Sequence, residues 1–166
     1  MTIAQKTPEI KTLANLESAF AGESMAHIKY RYFAKLARAA GDEDTARTFE
    51  ETADQEVQHA FGHLDLLYPK SEITPAKALQ IAIDGETYEY TEMYPSFRHT
   101  AEVEGNALAV KEIDGQISES KEHAERFAAT LAATLAKAQK RFAALAKVEE
   151  RHAKHYQAQL AKVASL

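Results

Sequence analysis

Apolar residues recur every three or four positions along nearly the whole chain, the period of an amphipathic helix rather than a strand. From about Glu9 to Ala39 one stripe runs through Leu13, Leu16, Phe20, Glu23, His27, Tyr30 and Ala34, and Gly41-Asp42 ends it. A second helix, about Glu43 to Leu67, aligns Phe49, Ala53, Glu56, His59 or Ala60, His63 and Leu67. Tyr68 to Pro75 is a linker bracketed by prolines, and Thr74 before Pro75 has the pattern of an N-cap followed by proline at the first helical position. The third helix starts there, with Leu79, Ile83, Glu86, Glu89, Met93 and Phe97 on or beside its inner stripe; Pro95 predicts a kink. The last third is interrupted only by Gly105 and Asp114-Gly115, and its stripe passes through Leu135, Ala138, Phe142, Leu145, Glu149, His152 and Tyr156. The pattern predicts an all-α chain in which glutamates occupy positions that the period assigns to the core.

Those inward carboxylates change the picture. Glu56-Val57-Gln58-His59 and Glu149-Glu150-Arg151-His152 are both Glu-x-x-His pairs. On a helix, residues three apart project from one face, so each pair aims a carboxylate and an imidazole at one point. Two such pairs with Glu23 and Glu86 from two further helices make the ligand set of a carboxylate-bridged di-iron or di-manganese bundle. Burying these carboxylates together without cations costs many kcal/mol, and two histidines do not neutralise them. A metal-free helical scaffold is disfavoured on that ground.

Composition narrows the chemistry further. With 166 residues the chain is most simply one domain, and 6 Gly and 4 Pro leave little room for β-turns. The absence of cysteine excludes disulfides, thiolate catalysis, Fe-S clusters and Cys-ligated metals, so a metal here takes O and N ligands. A net charge of -5 without a basic block argues against nucleic acid as a partner. No apolar run approaches the ~20 residues that span a bilayer, and Met1 to Lys11 lacks the apolar stretch of a secretory signal. A cytoplasmic protein without membrane contact is the expectation.

Four stretches carry a family resemblance: AFAGESMAHIKYRY (19–32), FEETADQEVQHAFGHLDL (49–66), AIDGETYEYTEMYP (82–95) and FAALAKVEERHAKHY (142–156). They resemble the rubrerythrin family of the ferritin-like superfamily. The resemblance implies a ferritin-like four-helix bundle with an additional helical segment, about 106–135, before the last ligand helix. It also implies two iron ions, with manganese or a mixed pair compatible with the same ligands and zinc possible in a recombinant sample. Glu56 and Glu149 would bridge the ions, Glu23 and Glu86 would each serve one, and His152 would give nitrogen to one. Glu89 and His59 would be a redox-switched pair on the other, and Tyr30 and Tyr94 would hydrogen-bond ligand carboxylates.

The activity implied is reduction of hydrogen peroxide to water with electrons from an external donor, such as a rubredoxin-like protein. A ferroxidase or iron-handling protein would use the same ligands, but Glu89 beside a switchable His59 suits the peroxidase better. Two departures bear on assembly. Glu89 to Glu149 spans 60 residues, against 33 from Glu23 to Glu56 and 30 from Glu56 to Glu86. The linker at 68–75 is also short for a return crossover, which predicts a homodimer with exchanged helices.

Other residues divide between roles. Ser120-Lys121-Glu122-His123-Ala124-Glu125-Arg126-Phe127 echoes the segment from Glu149 to Tyr156, with Ser120 standing where the carboxylate belongs. Glu119 and His123 are expected in solvent or supporting a ligand. His27 is either a support for Glu23 or a packed core histidine. Surface or packing roles are expected for His63, His99 and His155, and wall positions for Tyr88 and Tyr90.

Overall fold

The structure is a computed structural model and describes residues 11–164. It is all-α: α1 (Thr12–Ala39), α2 (Glu43–Leu67), α3 (Pro75–Tyr88), a π turn (Glu89–Met93), α4 (Tyr94–Val103) and α5 (Ala107–Ala164), with no strand among the described residues. The expected start of the first helix at Glu9 lies outside the described residues. The chain divides into two compact units, residues 1–73 and 74–166.

The first unit is the α1–α2 hairpin. Its helices approach closely because the contact positions are alanines: Ala34, Ala46 and Ala53 are essentially inaccessible. Phe49 packs its ring on Tyr30 at 5.9 Å and on Phe33 at 5.6 Å. The turn between the helices follows from Gly41. At φ +86° it takes the left-handed conformation that glycine adopts without penalty. Its N–H donates to the Arg38 carbonyl and the Asp42 N–H to Ala37, the paired bonds of a Schellman cap. Asp42 then starts α2 by accepting from the Thr45 N–H at 3.0 Å.

The second unit repeats this device. Gly105, at φ +70°, closes α4 with bonds from Gly105 N to Glu102 O and from Asn106 N to Ala101 O, and the Asn106 side chain caps α5 through the Ala109 N–H. Thr74 caps α3 at the Lys77 N–H, with Pro75 in the first turn. Packing of α3 and α4 on α5 buries Ala101, Ser120 and Ala124.

Three sequence expectations are corrected here. The third helix is not one continuous α-helix: a π turn interrupts it just before Pro95, which sits in the first turn of α4. The Tyr94 N–H reaches back five residues to Glu89, and the wider turn accommodates a residue that has no N–H to donate. Because the π turn uses one more residue, the inner face moves on by one: Phe97 is exposed, while Arg98 is half-buried and Ala101 buried.

Gly115 does not interrupt the last helix, since α5 runs unbroken for 58 residues and takes in the segment about 106–135 together with Glu149 and His152. The third correction concerns the stripe from Leu135 to Tyr156, which is not core: beyond Thr134 every described residue except Val148 is exposed. The reason is length. The run from Pro75 to Val103 covers only the first half of α5, and no element of the unit lies against the rest.

Candidate metal centre

In the hairpin, Glu23 on α1 and Glu56 and His59 on α2 come together. One ligand atom from each lies within 4.8 Å of the others. The His59 Nδ1 is 2.8 Å from Glu56 Oε2, and the Glu56 side chain is only 15% exposed while His59 is 58% exposed. Two carboxylates and an imidazole at this spacing form the O/O/N donor set that iron, manganese or zinc accepts. The residues therefore fit a metal.

The hairpin orients this set through the residues beside it. His27, one turn from Glu23, places Nδ1 2.9 Å from the Ala53 carbonyl. A carbonyl only accepts, so Nδ1 carries the proton, and His27 ties α1 to α2 behind the carboxylates. Tyr30 lies half-buried against Phe49, a further turn along α1.

In the second unit, Glu86 and Glu89 are half-buried on consecutive turns of α3 and the π turn. They meet residues from the proximal half of α5. His123 Nδ1 is 3.4 Å from Glu86 Oε1, and the Ser120 hydroxyl donates to Glu89 Oε2 at 3.0 Å. Burial, and then the charges of Glu89, Glu86 and Glu112, push the Tyr94 phenol above its usual range. Tyr94 keeps its proton near neutral pH and is available as a donor beside these carboxylates.

The structure does not bring Glu149 and His152 to this group. They lie 29 residues beyond Ser120 and His123 on a continuous helix, or roughly 44 Å away. Their side chains are 73% and 55% exposed, 3.5 Å apart and facing solvent. His123, expected in solvent or supporting a ligand, touches Glu86, whereas Glu119 is exposed. The signal that favours His123 is the echo itself. An offset of 29 residues is just over eight helical turns, so both copies share one face of α5, and only the first has α3 opposite it. His63 is half-buried, His99 is exposed, and His155 packs edge-on to Tyr156. Tyr88 is exposed and Tyr90 half-buried.

An all-helical chain that gathers glutamate and histidine on packed helix faces has the build of a non-haem carboxylate metal protein. Comparison with known proteins makes the class specific. The sequence model of the rubrerythrin family, described as Rubrerythrin, matches residues 14–68 and 65–131, and the chain belongs to that family. Among curated relatives, nigerythrin of Nitratidesulfovibrio vulgaris is 37% identical over 141 residues, covering 78% of this chain and 70% of the relative. Rubrerythrin of Porphyromonas gingivalis is 39% identical over 134 residues, covering 74% and 66%, and that of N. vulgaris is 42% identical over 106 residues, covering 57% and 56%. The chain thus spans less than two thirds of the length of some of these relatives. A solved structure of nigerythrin in a mixed-valence state is 38% identical, with 79% of this chain and 70% of that one covered and a TM-score of 0.37. Rubrerythrins are ferritin-like di-iron oxidoreductases. No helix among the described residues is long and apolar enough to cross a membrane.

Proposed function

We propose that this chain is a cytoplasmic non-haem di-iron peroxidase that reduces hydrogen peroxide to water. The observation that carries the reading is the cluster of Glu23, Glu56 and His59, whose ligand atoms lie within 4.8 Å of one another. Glu86 and Glu89 supply carboxylates from α3 and the π turn, and α5 supplies an imidazole from one of its two echoed segments, Ser120 to His123 or Glu149 to His152. A bound ferrous pair would provide the two electrons that, with two protons, convert one peroxide to two waters.

The chain's own groups account for the rest. The carboxylates hold the cations and offset their charge. His59 is the more exposed of the hairpin ligands, which gives it room to move on and off an ion. Glu89 is its switching counterpart. Tyr94, kept protonated, holds a donor near Glu86 and Glu89, and Tyr30, half-buried on α1, is the tyrosine assigned to the hairpin set. No cysteine lies in these 166 residues to carry a thiolate-ligated relay, and the electrons come from an external donor of rubredoxin-like chemistry.

Rapid mixing of the anaerobic, iron(II)-loaded protein with peroxide and, separately, with oxygen tests this reading. Oxidation by peroxide is expected to be faster, and Glu89→Ala should narrow the difference. Faster oxidation by oxygen in the parent protein would replace the peroxidase with a ferroxidase. Glu56→Ala should abolish binding of an ion pair, and two tightly held ions in that variant would reject the ligand assignment.

A further inference from the structure

We infer that α5 serves the metal centre through its proximal copy: His123, and not His152, is the nitrogen ligand, and Ser120 replaces a ligand carboxylate by a hydrogen-bond donor that holds Glu89. The inference rests on the di-metal reading above and decides what that reading leaves open.

Three observations point the same way. First, the contacts are already made. His123 Nδ1 lies 3.4 Å from Glu86 Oε1, and the buried Ser120 hydroxyl donates to Glu89 Oε2 at 3.0 Å. Second, no described element of the second unit lies against the distal copy: Glu149 and His152 are exposed, roughly 44 Å along the same helix. Third, the match to the family's sequence model ends at residue 131, so it includes Ser120 and His123 and excludes Glu149 and His152.

The substitution has an electrostatic consequence. With Ser120 in place, the second unit offers an ion two carboxylates, Glu86 and Glu89, and a neutral hydroxyl where the echoed segment carries a third carboxylate. Oxidation of a bound ion adds positive charge, and this unit holds one carboxylate fewer to offset it. In a half-buried site such an imbalance disfavours the more highly charged state. Serine at 120 therefore favours the reduced centre, and a glutamate at that position would stabilise the oxidised one. The neutral hydroxyl has a different task. By donating to one oxygen of Glu89 it fixes that carboxylate's orientation and leaves the other oxygen for an ion.

The test uses the full chain loaded anaerobically with iron(II), with bound iron counted after desalting. His123→Ala should fall from about two ions to about one, while His152→Ala keeps about two. Ser120→Glu should keep both ions and shift the midpoint potential of the iron pair to more negative values. Circular dichroism separates misfolding from lost ligation; should His123→Ala not fold, His152→Ala and the Ser120→Glu potential decide. Loss of an ion in His152→Ala, two ions retained in a folded His123→Ala, or a potential in Ser120→Glu that stays constant or rises each overturns the inference alone. A parent protein that holds no iron overturns the di-metal reading together with it.

Discussion

Arg38 sits at the end of α1 and reaches two carboxylates of α2, Glu43 and Glu50, with contacts of 2.9 and 2.7 Å. Hydrogen bonds from Arg38 hold both carboxyls below their ordinary range, and the Thr45 backbone N–H does the same for Asp42. The sign of the linkage follows. A carboxylate whose pKa is lowered on folding contributes its full stabilisation above the unfolded value and loses it as pH falls through the folded value. Asp42 and Glu43 are exposed and Glu50 keeps a third of its side chain open to solvent, so the effect is screened by salt and modest. Thermal unfolding followed from neutral to acid pH should show melting temperature falling below about pH 4, the ordinary carboxylate range. Arg38→Gln should flatten part of that fall and leave the Asp42 part. At this scale the hairpin cluster was legible from spacing, because Glu23 and Glu56 interrupt apolar stripes where a charge needs a reason. The contacts of His123 and Ser120 were not. Serine carries no sign of its role in sequence, and which of two equivalent helical segments meets α3 is decided by tertiary packing.

Glycine acts in opposite ways in α5 and in the turn before it. Gly105 holds a left-handed backbone that closes α4, whereas Gly115 lies inside α5 with open space where a side chain would go. Gly115→Ala should raise stability by about 0.5–1 kcal/mol, through helix propensity and lower chain entropy when unfolded. Gly105→Ala should lower it by about 1–2 kcal/mol, since alanine pays a steric cost in that conformation. Chemical denaturation of the two variants reads both signs in one experiment. The same contrast explains what sequence could tell about the elements. Gly41-Asp42 and Gly105-Asn106 each pair a left-handed residue with a capping side chain, and both ended helices as expected. Asp114-Gly115 has a similar look, but the apolar period continues through it and packing on α3 and α4 overrides it. The π turn had no visible signature beyond Pro95, because one added residue looks the same in sequence as an imperfect stripe. Its effect was to exchange Phe97 for Arg98 on the inner side.

The linker sets the assembly question. Helix α2, with 25 residues, is roughly 37 Å long. Residues 68–74, fully extended, reach at most about 25 Å, too short to return along α2 and start a parallel α3 within one chain. The proposed exchange between two chains would remove that strain. Mixing Glu56→Ala with Glu86→Ala protein under refolding conditions tests it. An exchanged heterodimer regains one intact centre, detectable as bound iron that neither variant holds as a pair, whereas unexchanged chains regain none.

The unsupported half of α5 has a consequence for how the molecule comes apart. From Leu135 onward the helix is held by its own backbone bonds and by local pairs such as Lys154 with Glu150, while Leu135, Phe142 and Leu160 remain more than half exposed. A stretch that no neighbour packs against forgoes the tertiary burial from which most helical stability in proteins comes. The distal half is therefore expected to open at lower free energy than the packed proximal half, so that the chain by itself melts in more than one step.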